Sequence, residues 1–126
     1  MERPQKELQG KDKISNKAAI KAIHSYLPEK KLTNEQLAKE FDDWDVNKIY
    51  QKIGISVRDL ADKNECASDL GIAAAKKLFE NKNIIPDDID YLIFCTQSPD
   101  YFLPASSCII QTCLGINTNC GAIDIN

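Results

Sequence analysis

The stretch Ile89-Asp90-Tyr91-Leu92-Ile93-Phe94-Cys95 decides the fold. It is a nearly continuous apolar run rich in β-forming residues, the pattern of a central strand covered on both faces. Just before it, Asn83-Ile84-Ile85-Pro86-Asp87-Asp88 puts proline and aspartate where a turn uses them. Further back, residues 66–81 predict a helix, with Ala67, Leu70, Ala74 and Leu78 along one stripe. The small alanines and Gly71 on that stripe point to close packing against a neighbour. On the other side of the run, Ser98-Pro99-Asp100 makes a loop, and Pro104 suits the first turn of a helix over about 105–114 that Gly115 closes. Residues 122–125 then begin a last apolar strand.

Toward the N-terminus the signals are more local. Thr33 is an N-cap candidate, and Gln36 supplies the reciprocal side chain of a capping box. Leu37, Ala38 and Phe41 share one face of the helix this predicts, which runs to about residue 41. Val46, Ile49, Tyr50 and Ile53 repeat at three and four, so a second helix is expected over 46–53, ended by Gly54 in a left-handed conformation. Residues 55–60 read as extended or irregular. Ala19, Ile20, Ala22 and Ile23 make residues 18–25 a first strand that stops near Tyr26, because Pro28 cannot donate to a ladder. Residues 1–17 are polar and read as a flexible arm, leaving 18–126 as the domain. The order strand, helices, strand, helix, strand argues α/β with a largely parallel sheet and right-handed crossovers.

The composition, 43% hydrophobic and 28% charged over 126 residues, is that of a globular protein. A net charge of -3, with both signs mixed along the chain, lacks the basic face that a phosphate backbone needs, so nucleic acid is not expected as a partner. The apolar runs fall far short of the roughly 20 residues that cross a bilayer. Residues 1–17 are too polar for a secretory signal, and a cytoplasmic protein is expected. Five cysteines, at 66, 95, 108, 113 and 120, form no C-x-x-C and accompany a single histidine, His24; zinc and a disulfide scaffold are both disfavoured. The cysteines read as small buried hydrophobes in a reducing compartment, with Cys95 in the core. His24 has no acidic or thiol neighbour in sequence and reads as structural or exposed.

Several segments, taken in order, resemble the opening of the β-ketoacyl-ACP synthase III family. They are Tyr26-Leu27-Pro28, Thr33-Asn34, Asp42-Asp43-Trp44, Gly54-Ile55 with Arg58, the strand from Asp88 to Thr96, Pro104-Ala105-Ser106-Ser107 with Gln111 and Leu114-Gly115, and Gly121-Ala122-Ile123-Asp124-Ile125-Asn126. The resemblance covers about residues 19–126. It implies the N-terminal part of a thiolase-like αβαβα fold and an acyltransferase that condenses acyl-CoA with malonyl-ACP in fatty acid or related acyl biosynthesis. It further implies a homodimer, acyl carrier protein and acyl-CoA as partners, and no resident cofactor.

In that family the nucleophilic cysteine follows the D-x-N strand by about three residues, on an elbow where helix amides favour a thiolate. That position lies beyond Asn126, so the resemblance implies no catalytic residue in this chain and an inactive piece by itself. Cys113 and Cys120 fall too early to replace it. The positions matching the family's coenzyme A contacts are Trp44 and Lys52, although Trp44 stands further from Gly54 than the family's spacing and Ser56 replaces a basic residue. Core packing for Trp44 and a solvated Lys52 are the competing readings. Leu103 holds the place from which the family closes the far end of the acyl pocket of the dimer partner; ordinary loop packing is its alternative. A non-catalytic partner-binding or dimerisation module with the same partial fold stays open, as does a related hydroxymethylglutaryl-CoA synthase.

Overall fold

A computed structural model describes residues 18–41, 44–82 and 84–126. The expected arm over residues 1–17 and the Asp42-Asp43 pair lie outside the described residues. Along the chain the elements are β1 (Lys30–Thr33), α1 (Asn34–Glu40), α2 (Val46–Ile53), β2 (Val57–Leu60), α3 (Ala67–Lys82), a 3₁₀ turn (Pro86–Asp88), β3 (Tyr91–Cys95), α4 (Ser106–Cys113) and β4 (Gly121–Ile125).

The strands form two pairs. β1 and β2 make an antiparallel ribbon in which Lys30 faces Leu60 and Thr33 faces Val57. Lys31 and Asp59, directly opposite each other, form an ion pair across it. β3 and β4 are parallel, with Tyr91 beside Gly121, Ile93 beside Ile123 and Cys95 beside Ile125, and α4 lies on the crossover between them. The sheet is thus parallel where the long apolar run sits and antiparallel in the ribbon, which the expectation of a largely parallel sheet had not separated.

Residues 18–25 are not a strand. Ile20 and Ile23 are 82% and 77% exposed, and among the described residues no strand offers this segment a ladder. Apolar content alone does not make a strand without a partner for its amides and carbonyls. The first strand is the polar Lys30–Thr33 instead, which β2 pairs.

The capping box at Thr33 is present in both directions: the Gln36 amide donates to Thr33 Oγ1 (3.2 Å), and the Thr33 amide donates to Gln36 Oε1 (2.9 Å). Thr33→Ala is expected to lower stability by about 1 kcal/mol; Thr33→Ser should recover most of it, and thermal unfolding of the three proteins decides the matter. Gly54 ends α2 at φ 72°, its amide donating to the Tyr50 carbonyl at 2.7 Å. At the end of α4, Gly115 (φ 67°) donates to Thr112 and Ile116 to Gln111, the paired bonds of a Schellman motif. Pro104 lies outside this helix rather than in its first turn; Ala105 is the cap residue.

The core is built from α3, β3, α4 and the turn that leads from α4 to β4. Ile110, Leu114, Ile116 and Cys120 are buried, and Ile72, Ala75, Phe79, Ile89, Leu92 and Phe94 pack around them. From α3, then, it is Ile72, Ala75 and Phe79 that meet the core, while the expected stripe of Ala67, Leu70, Ala74 and Leu78 is half-buried. The close approach expected at Gly71 is there: a methyl group on it would stand 3.2 Å from Phe94 Cε2 and 3.8 Å from Ile110 Cδ1.

β3 is covered on one face only. Leu92 and Phe94 turn inward, whereas Tyr91 and Ile93 are 56% and 59% exposed; on the same side of β4, Ile123 and Ile125 are 40% and 48% exposed. The apolar run reads as doubly buried because both of its faces are apolar, but among the described residues helices meet only one of them. Cys95 belongs to the open face and is exposed, as are Cys66, Cys108 and Cys113; Cys120 alone is buried. The expectation of five buried cysteines therefore holds for one, because the other four lie on surfaces that none of the described residues covers.

Candidate functional site

α2 carries the candidate site. Ile49, 7% exposed, anchors this helix inward. Asp45 caps its start, Oδ1 accepting the Lys48 amide at 3.0 Å. Trp44 precedes the cap; its amide donates to the Phe41 carbonyl at 3.0 Å, and its ring stacks on Phe41 with centroids 5.0 Å apart. One side of the indole is therefore held while 48% of the residue stays open to solvent. A shallow cavity of about 280 Å³ lies here, lined by Trp44, Asp45, Lys48, Ile49, Lys52 and Ile53. The structure thus brings Trp44 and Lys52 into one cavity, and Trp44 is a surface residue rather than a core one.

The turn that follows α2 is fixed by Asn34, which is 2% exposed. Its amide donates to the Ser56 carbonyl (3.1 Å), its Nδ2 to the Ile55 carbonyl (2.9 Å), and its Oδ1 accepts Arg58 Nη1 at 2.7 Å. A buried amide with each of these groups satisfied is a rigid tie, since losing a partner would leave a desolvated polar atom. Asn34 and Arg58 belong to segments singled out in the sequence, but that they bind each other across 24 residues is not visible there.

A larger cavity, about 550 Å³, opens beside Tyr26, Glu29, Lys30, Asp62 and Glu65. Charge argues against an anion in it, because three carboxylates face one ammonium. Tyr26 donates its hydroxyl to Glu65 at 3.3 Å, and Lys77 lies 4.9 Å above its ring. The negative charge of Glu65, followed by burial, raises the Tyr26 pKa, so this phenol stays protonated at neutral pH. His24, exposed, has Nδ1 2.9 Å from the carbonyl of its neighbour Ser25.

Leu103 stands apart from the α2 cavity, on the loop between β3 and α4. It is 86% exposed, and Phe102 beside it is fully exposed. The base of this loop is held by Asp100, whose Oδ1 accepts the Ser68 amide (3.3 Å) and whose own amide donates to Ser106 Oγ (3.4 Å). Among the described residues nothing covers the tip of this loop.

At the carboxyl end of β4, Asp124 accepts the amides of Ser106 (Oδ2, 2.7 Å) and Ser107 (Oδ1, 2.8 Å), the first two residues of α4. Burial pushes this carboxyl up, and the hydrogen bonds from Ser107 and Ser106 outweigh it, so the pKa lies below the ordinary aspartate value. The carboxylate occupies the helix N-terminus, where the amides and the dipole favour a negative charge. Cys113 ends α4 and Cys120 precedes β4, so neither lies at that edge. Among the described residues no helix is long and apolar enough to cross a membrane.

The parallel β3–β4 pair with its helical crossover belongs to the thiolase-like α/β class. A crystal structure of a 3-oxoacyl-(acyl-carrier-protein) synthase III, 47% identical, superimposes with a TM-score of 0.79 over 86% of this chain and 32% of its own. That of the β-ketoacyl-ACP synthase III from Thermus thermophilus, 27% identical, does so at 0.78 over 86% and 33%. Curated relatives of the chain include proteins named β-ketoacyl-[acyl-carrier-protein] synthase III. That of Campylobacter jejuni subsp. doylei is 45% identical over 111 residues, 87% of this chain and 34% of the relative. A second, from Halalkalibacterium halodurans, is 42% identical over 114 residues, 88% of this chain and 33% of the relative. The chain therefore spans about a third of the length of the curated relatives it matches. No family model matches the chain.

Proposed function

We propose that this chain is the N-terminal part of an acyltransferase of the 3-oxoacyl-ACP synthase III type, which joins an acyl-CoA to malonyl-ACP in fatty acid or related acyl biosynthesis. The observation that carries the reading is the agreement of sequence and backbone, along the same stretch, with proteins of that name. In this reaction an active-site thiolate takes the acyl group and releases the CoA thiol. Decarboxylation of the malonyl group then supplies the carbanion that attacks the acyl-enzyme, giving 3-oxoacyl-ACP and carbon dioxide. The substrates bring their own activating groups, so the proposal needs no resident cofactor.

Under this reading the nucleophile follows β4, and this stretch contributes binding surface. Trp44 and Lys52 take the nucleotide end of coenzyme A, for which their shared cavity is the support. Leu103, on its projecting loop, bounds the acyl pocket of a second protomer in a cytoplasmic homodimer. A chimera tests both statements: the matching stretch of the Campylobacter jejuni synthase III is replaced by residues 19–126 of this chain. Condensation of acyl-CoA with malonyl-ACP is expected to survive, and a folded chimera without it overturns the reading. Leu103→Phe in that chimera is expected to shift the preferred acyl chain shorter, and an unchanged chain-length profile removes Leu103 from the pocket.

A further inference from the structure

The α2 cavity holds a charge imbalance. Lys48 and Lys52 are four residues apart, one helical turn, and both line it. Like charges at this spacing destabilise a helix by about 0.2–0.5 kcal/mol unless something neutralises them. Among the described residues nothing does: the first turn of α2 has no acidic residue, and neither ammonium has an ion-pair partner. Asp45, the one carboxylate among the described residues of the lining, is turned to the helix amide of Lys48 as its cap. The rest of the lining is flat or apolar, namely the open part of Trp44 with Ile49 and Ile53. An aromatic face beside two unmatched cations is complementary to a planar base that carries phosphate. The carboxylate-rich larger cavity is not complementary to the phosphate.

We infer that Lys48 is a second phosphate-binding residue of this site, acting with Lys52 across one turn of α2 to hold the phosphorylated end of an adenine nucleotide whose base lies against Trp44. The inference rests on the acyl-CoA reading and extends it to a residue not assigned by resemblance. Two ammonium groups on one helix face present point charges to a phosphate without a fixed fork, so arginine at either position should serve as well.

Trp44 is the single tryptophan of the chain, so its fluorescence reports on this cavity directly. The 126-residue chain is titrated with adenosine 3′,5′-bisphosphate and with adenosine. The bisphosphate is expected to quench Trp44 saturably, with an affinity that falls as salt is added, and adenosine to bind far more weakly. Lys48→Gln and Lys52→Gln should each weaken bisphosphate binding roughly fivefold to tenfold. Lys48→Arg should restore it, and Lys76→Gln, on the exposed side of α3, should change nothing. All of these positions are exposed, so far-ultraviolet circular dichroism should be alike across the series. If Lys52→Gln weakens binding while Lys48→Gln does not, the role of Lys48 is overturned and the acyl-CoA reading stands. If the bisphosphate leaves Trp44 unquenched in the parent chain, the nucleotide site itself falls, and Lys48 with it.

Discussion

Asp124→Ala is expected to lower stability at pH 7 by about 2–3 kcal/mol, a fall in Tm on the order of 10 °C. The carboxylate is the shared acceptor for two consecutive amides at the start of α4, and both serines are fully buried. Without it those donors have no water to turn to. A native domain has only about 5–15 kcal/mol in total, so this one side chain accounts for a large part. The sign of the pH dependence follows from the depressed pKa. The stabilisation is fully present above the unfolded aspartate value of about 3.9. It is lost as pH falls through the lower folded value. The gap between parent and variant should therefore narrow as the pH drops below about 4. Urea unfolding at pH 7 and pH 3 measures it, and a gap of equal size at both would mean that the charge is not what α4 uses.

Ile110→Ala is expected to cost about 3 kcal/mol, within the range for deleting three buried carbons. Ile110 is 4% exposed and packs where α4 meets α3 and β3, beside Gly71 and in one cluster with Phe94. The matched control is Ile93→Ala, which removes the same atoms from a residue 59% exposed on the open face of β3. Surface substitutions of that kind stay within about 0.5 kcal/mol. Denaturant midpoints for the two variants should differ several-fold in their shift from the parent. Equal shifts would mean that the face bearing Ile93 is covered in solution.

Much of this architecture was legible in the sequence, and what was legible is local. The Thr33–Gln36 capping box, the Gly54 and Gly115 stops, and the apolar repeat of α2 are each decided within a few residues. What escaped depends on partners far along the chain. Lys30–Thr33 is too polar to read as a strand and becomes one because Val57–Leu60 pairs with it. Residues 18–25 look like a strand and are not, for want of a partner. In the candidate site, Trp44 and Lys52 were marked only by the resemblance of their segments to the synthase III family. Lys48 carried no such mark and emerged only once the phase of α2 and the rim of the cavity were known. The ties made by Asn34, Asp100 and Asp124 link residues 6 to 32 positions apart, and no spacing rule anticipates them.

The buried apolar residues are unevenly shared. Among the described residues, Ile49 alone comes from the ribbon and its helices, while Ile110, Leu114, Ile116 and Cys120 all come from α4 and the turns behind it. The cavity on α2 therefore sits on the part of the molecule held by polar ties and one ion pair, and the part with the hydrophobic cluster carries no share of it. Segments poor in buried apolar contacts open locally at a lower free energy than the global one. If Trp44 takes a nucleotide as proposed, its capture is coupled to the fraying equilibrium of α2: the bound nucleotide would slow amide exchange in that helix and leave exchange in α4 untouched.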